Sequence, residues 1–303
     1  MPSNVSGNLT STFGECRNSI DLSFYRFHMG IDISTNALEN TKVYAMENGY
    51  LWKVYVNDPI YGNTILINHP DGITTVYAHL NKFSDRFLPV INSALVEFGE
   101  ESHIEMEFSE KDFPVKRGEN VALSGKTGAT SVPHCHIEFR NYENGTAVNP
   151  LNYLKHLIKS LDTKISIEKI RIDGNSNNVV NGGTYYFNGS IPQIEVNARL
   201  VSNSGRGKFG IKTLQLFFSD EEVYSIDFSE IPLAFATEGN YVFGEASNQS
   251  SYWYKFYSPI QKKPIVTNKI REMDRLPDNT DAKLVLKDDW GNVKEWSFRL
   301  KRR

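Results

Sequence analysis

The stretch SVPHCHIEFR, Ser131 to Arg140, alternates polar and apolar residues from His134 onward. That is the pattern of a strand with one wet face and one buried face. Side chains two residues apart on a strand share a face, roughly 7 Å from each other along the chain. His134 and His136 therefore project together, and Glu138 and Arg140 continue the row. Cys135, Ile137 and Phe139 point the other way, into a core. Two imidazoles side by side on a polar strand face suggest a metal, a catalytic pair, or both. A solvated surface pair has the same spacing, so the decision falls to the rest of the chain.

Working outward, short β-rich runs at 43–45, 50–56, 64–68 and 73–78 alternate with turn signals such as His69-Pro70-Asp71-Gly72. They predict a meander of antiparallel strands. Residues 81–113 form a less regular insert with one strand near Ile104 to Phe108, and Val121 to Leu123 is a short strand between turns. Asn149-Pro150 opens a helix to about Leu161, with Leu151, Leu154, Leu157 and Ile158 at helical spacing. Beyond it, runs at 165–172, 185–187, 194–200, 211–218, 252–257 and 282–286, and a hairpin turning near Gly291-Asn292, read as a β-sandwich. The expected organisation is mainly β, with a first domain over 1–162 and a second over 163–303, of which residues 164–303 can be removed without loss of zinc.

The chain has 303 residues, enough for two ordinary domains, and a formal charge of -3, which gives no electrostatic reason to expect nucleic acid. No apolar run is long enough to span a membrane, and the first residues lack the basic and apolar regions of a signal peptide. Cys16 and Cys135 allow at most one disulfide, and their spacing fits no cysteine-based zinc site; both read as small buried residues. Cys135 is turned away from its flanking histidines by strand alternation.

Of the seven histidines, His69 sits in a turn, His103 in the insert and His156 on the helix, each with a structural reading. His28, His79, His134 and His136 remain. Asp32 follows His28 by four residues, but Gly30, Ile31 and Ile33 argue against a helix. A straight strand would hold the two about 13 Å apart. Sharing an ion demands a bend, which Gly30 permits by tolerating unusual dihedrals. His28, Asp32 and one histidine of the pair would then supply the three N/O ligands of a catalytic zinc site. Spacing alone does not decide between His134 and His136.

These residues resemble the lysostaphin-type (LytM-like) zinc peptidoglycan endopeptidases over about residues 8–154. The resemblance rests on the TFGECR run at 12–17, His28-Met-Gly-Ile-Asp32, Tyr61-Gly62-Asn63, the run ending in Ala78-His79-Leu80, the SGKTG run at 124–128, Pro133 to Arg140, and Asn149-Pro150-Leu151. It implies an antiparallel two-sheet peptidase domain with His28, Asp32 and His136 on one Zn2+, and His79 and His134 beside the water and scissile carbonyl. It also implies peptidoglycan as substrate and an exported location, in the periplasm or cell envelope. The second domain resembles the immunoglobulin-like accessory domains of some bacterial members through its Asp-x-x-Gly-Asn hairpin. The alternatives are a non-catalytic LytM-like regulator of wall hydrolases and a wall-binding protein.

Overall fold

Period-two burial organises the chain. In the computed structural model, which describes residues 8–18, 25–156, 158, 162–202 and 208–303, strand is the dominant element. The first half comprises β1 (Leu9–Ser11), β2 (Cys16–Asn18), β3 (Tyr25–Phe27), β4 (Ile31–Ser34), β5 (Lys42–Tyr44), β6 (Gly49–Asp58), β7 (Gly62–Asn68), β8 (Thr74–Phe83), α1 (Leu88–Phe98), β9 (Ile104–Glu107), β10 (Pro114–Val115), β11 (Asn120–Ser124), β12 (His134–Asn141), β13 (Thr146–Val148) and α2 (Leu151–Leu154). After it come β14 (Thr163–Ile172), β15 (Asn175–Asn178), β16 (Thr184–Phe187), β17 (Ile194–Ser202), β18 (Lys208–Phe209), β19 (Thr213–Phe218), β20 (Glu221–Asp227), β21 (Glu230–Pro232), β22 (Trp253–Lys255), β23 (Ile265–Asn268), β24 (Asn279–Lys287) and β25 (Val293–Arg302).

Contacts group the described residues into two compact units, and the grouping does not follow chain order. One holds residues 8–10, 30–150, 156 and 158. Its sheet runs β1-β4-β12-β8-β7-β6-β10, with β11 bridging β5 and β8 and β9 pairing β6. The other holds residues 11–18, 25–29, 151–155, 162–202 and 208–303. It contains the β2-β3 ribbon, a sheet β15-β14-β17-β18 with β22 on β17, and a sheet β16-β25-β24-β19-β20-β23. All its pairings that carry a register are antiparallel except β16 on β25. Trp296, Phe298 and Leu300 are buried along β25 while the residues between them face water. This is the alternation expected of a half-buried strand.

Two expectations change. The helix placed over 150–161 is a single turn, α2, with Leu151 and Leu154 buried; residues 157 and 159–161 lie outside the described residues. The insert at 81–113, by contrast, contains an 11-residue helix, α1, begun by Pro89. Its apolar residues include a stripe at helical spacing, Leu88, Ile91 and Leu95, with Ile91 buried and the other two half-buried, while Val96 and Phe98 are 88% and 60% exposed. That spacing and the proline of the first turn are helix signals inside a stretch expected to be irregular.

Candidate metal centre

Strand β12 lies between β4 and β8, and the registers on its two sides build the site. His136 faces Asp32 directly across β12 and β4, and His134 faces Ser34. Residues directly opposite on neighbouring strands share a face, so Asp32 joins the histidine row. The Asp32 carboxylate lies 2.9 Å from His136 Nδ1 and 3.4 Å from His134 Nε2. Cys135 and Ile137 are fully buried on the opposite face.

His28 reaches the same place through the bend at Gly30. The ligand atoms of His28, Asp32 and His136 all lie within 4.8 Å of one another. Two imidazoles and one carboxylate are the donor set of a catalytic zinc site with one position open. The bend is present, but its cause differs from the one expected. Gly30 does not use a left-handed conformation; it is needed for space. A Cβ there would sit 2.3 Å from the Ile137 carbonyl oxygen and 2.9 Å from His136 Cε1.

His79 arrives by a different device. Tyr77 pairs with Ile137 and is buried on the core face, so plain alternation would send His79 to the core as well. Between Ile65↔Tyr77 and Asn63↔Leu80 the register slips, leaving Thr64 opposite both Ala78 and His79. This is a β-bulge, and His79 occupies it with φ of +58°. The bulge turns the ring to the histidine face, where its centroid is 4.8 Å from that of His134 and 5.8 Å from that of His136.

Each ring is oriented by a partner. Thr12 O lies 2.8 Å from His28 Nδ1, Thr127 O 2.8 Å from His79 Nδ1, and Val132 O 2.8 Å from His134 Nδ1. In each case the ring donates from Nδ1, and Nε2 is left as the basic nitrogen. His136 is held the other way round: its Nε2 lies 2.9 Å from Glu138 Oε1. Glu138 is fully buried and also accepts from Arg140 Nε at 2.6 Å. Arg140 in turn donates to the Tyr61 and Tyr142 hydroxyls.

These surroundings set the charges. Burial, reinforced by the neighbouring His136 and His134, pushes the His79 pKa down to about 3, so its ring is neutral at physiological pH. Burial also opposes charge on His136, but hydrogen bonds to Asp32 and Glu138 outweigh it and hold the pKa at about 9. Burial would raise Glu138, yet the Arg140 guanidinium and His136 keep it well below the usual carboxylate range.

Residues 26–101 match peptidase family M23. The matched stretch carries His28, Asp32 and His79 and ends before β12. An uncharacterized metalloprotease of Haemophilus influenzae is 35% identical over 126 residues, covering 42% of this chain and 21% of that protein. The DD-carboxypeptidase/endopeptidase Mpg of Neisseria meningitidis is 31% identical over 144 residues, covering 48% of this chain and 26% of that protein. The chain thus spans about a quarter or less of the length of these relatives. Among solved structures, a zinc-containing peptidase from Vibrio cholerae is 26% identical over 44% of this chain and 32% of its own, with a TM-score of 0.32.

Within and around the matched stretch the other histidines stand apart from this group. His69 is buried, with Nδ1 on Asn48 O and Nε2 on the Thr75 hydroxyl. His103 lies near Asp58 and Glu105, and His156 is exposed. Cys16 and Cys135 are both free thiols, pushed up to about 12 by burial. The sequence places Glu138 on the histidine row without assigning it a task. It gives none to Thr12 or Thr127 either, because both act through backbone oxygens.

Proposed function

We propose that this chain is a zinc-dependent endopeptidase that hydrolyses amide bonds in the stem or cross-bridge peptides of peptidoglycan. In this reading His28, Asp32 and His136 hold one Zn2+, and His79 and His134 handle protons. The peptidase domain spans 1–162, and 163–303 is an accessory part. The observation that carries it is the donor set gathered within 4.8 Å, with two further imidazoles alongside, in a chain whose residues 26–101 match peptidase family M23. The Neisseria relative's description as a DD-carboxypeptidase/endopeptidase supports a peptide amide as substrate. A lipoprotein among the relatives, YgeR of Escherichia coli, supports an exported location.

Zinc bound to such a set supplies Lewis acidity to a scissile carbonyl and makes water acidic enough to attack at neutral pH. The protein's own part is orientation and proton transfer. Asp32 is placed against both His136 and His134, so one carboxylate spans the ligand set and the proton-handling pair. Because Thr127 O and Val132 O hold the Nδ1 protons of His79 and His134, both rings turn Nε2 to the reaction. One Nε2 takes the proton of the attacking water. The imidazolium so formed returns that proton to the leaving amine.

The test is digestion of purified peptidoglycan from several wall types by the zinc-loaded chain, followed by mass analysis of the released muropeptides. New amino termini from at least one wall, absent after chelation, are expected. No release from any wall chemistry would overturn the reading.

A further inference from the structure

His28 is held by a segment that is itself anchored on the C-terminal part of the chain. The TFGECR turn wraps the residue: Gly14 N donates to His28 O and His28 N to Glu15 O, both at 2.8 Å, while Thr12 O takes the Nδ1 proton. The turn is tied in its turn to Gly210. Gly210 N donates to the Thr12 hydroxyl at 3.0 Å and to Glu15 Oε1 at 3.3 Å. Glu15, 2% exposed, also collects Thr12 N and the Thr12 hydroxyl at 2.7 Å, Arg17 at 3.0 Å, and Ser11.

The next residues are seated in aromatic side chains. Phe27 N donates to Ala236 O at 2.9 Å. The Phe27 ring lies 6.2, 6.0 and 5.6 Å from those of Phe228, Phe235 and Phe243. Gly14 adopts φ of +77° with its backbone so close to Phe228 that a Cβ would sit 2.5 Å from the ring. Hydrogen bonds fix the turn, and the aromatic seat fixes the strand that delivers His28.

We infer that the C-terminal part, from Gly210 to Phe243, is a positioning element for the metal ligand His28. Residues 30–150 on their own lack the frame that sets this imidazole's place and tautomer. The inference rests on the zinc reading of His28 and departs from the expectation that the C-terminal part is separable from the metal. Residues that orient a ligand typically change metal affinity about 10- to 100-fold when altered.

The experiment uses the full chain and four variants. Thr12→Val deletes the hydroxyl that links Gly210 to Glu15, and Thr12→Ser keeps it. Phe243→Leu opens the aromatic seat from the C-terminal side. Leu284→Ala makes a cavity in the β24 core as a purely structural comparison. Zinc affinity is read by chelator competition, the His28 ring tautomer by 15N shifts of the metal-free chain, and folding by its melting transition. Thr12→Val and Phe243→Leu should weaken zinc by about tenfold or more and mix the tautomers. Thr12→Ser should restore both, and Leu284→Ala should lower only the melting temperature. Wild-type affinity and a single tautomer in folded Thr12→Val and Phe243→Leu would overturn the inference alone; if Phe243→Leu does not fold, the Thr12 pair decides. A wild-type chain that takes up no zinc overturns the zinc reading and this inference with it.

Discussion

Replacing Glu138 by Gln removes one negative charge from a site with no access to water. The carboxylate is fully buried and divides its oxygens between His136 Nε2 at 2.9 Å and Arg140 Nε at 2.6 Å. The amide has one acceptor, so it can satisfy one of these donors and must turn its NH2 towards the other. Breaking a buried ion pair from one side costs about 3–5 kcal/mol. The low end, about 3 kcal/mol, fits here, because Arg140 keeps the Tyr142 and Tyr61 hydroxyls at 3.0 and 3.2 Å. For a unit of this size the metal-free melting transition should fall by about 6–12 °C. Zinc affinity should fall separately, by about 10- to 100-fold, because the His136 ring loses the carboxylate that orients it. Chelator competition and thermal melts on the same samples read the two effects. Arg140→Met gives the contrast: it strands Glu138 and should destabilise comparably, but it leaves the Glu138–His136 bond and should affect zinc less. Wild-type zinc affinity in Glu138→Gln, or a larger zinc loss in Arg140→Met, would refute the orienting role.

Other outcomes follow from the same geometry. His28→Ala and Asp32→Ala should each lose zinc on dialysis, measured by elemental analysis; retention by both would sink the ligand assignment. His79→Ala and His134→Ala should retain zinc yet lower the release of amino termini from peptidoglycan by about 10²- to 10⁴-fold. Gly30→Ala forces a Cβ to within 2.3 Å of the Ile137 carbonyl oxygen and should cost about 1–3 kcal/mol by overpacking, visible as a lower urea midpoint. Chelation of the loaded chain should lower its melting temperature. Added zinc should raise it again in proportion to the logarithm of free metal, and a melting temperature indifferent to zinc would count against the site.

Much of this was legible from the sequence wherever a regular period carries the information. The face of β12 follows from strict alternation, and its register on β4 then delivers Asp32 to His136. The alternation fails at His79, where a one-residue bulge reverses the side chain's direction without any change in composition. Gly30 was legible as a bend, but its need for space depends on a strand a hundred residues away. Helix α1 was missed although Leu88, Ile91 and Leu95 stand at helical spacing beside Pro89, because its exposed Val96 and Phe98 blur the stripe. Strand β20 was missed although Val223, Tyr224, Ser225 and Ile226 are all buried, since a fully buried run has no alternation to read. The grouping of residues 11–18 and 25–29 with the C-terminal part was invisible, because it comes from tertiary contacts among aromatic residues far apart in the chain.

Three of the four imidazoles, His28, His79 and His134, are addressed by main-chain oxygens, those of Thr12, Thr127 and Val132. A carbonyl is contributed equally well by any residue that leaves the loop's path unchanged. The loop before His134 is therefore encoded by length and shape more than by side-chain identity, whereas the turns at Thr12 and Thr127 also depend on their own hydroxyls. A substitution scan across 129–132 would find most replacements tolerated and rank the segment as unimportant. A scan of single-residue deletions over the same positions would find the opposite, because each deletion moves the oxygen away from its ring. For this centre, tolerance to substitution and importance to chemistry are independent properties.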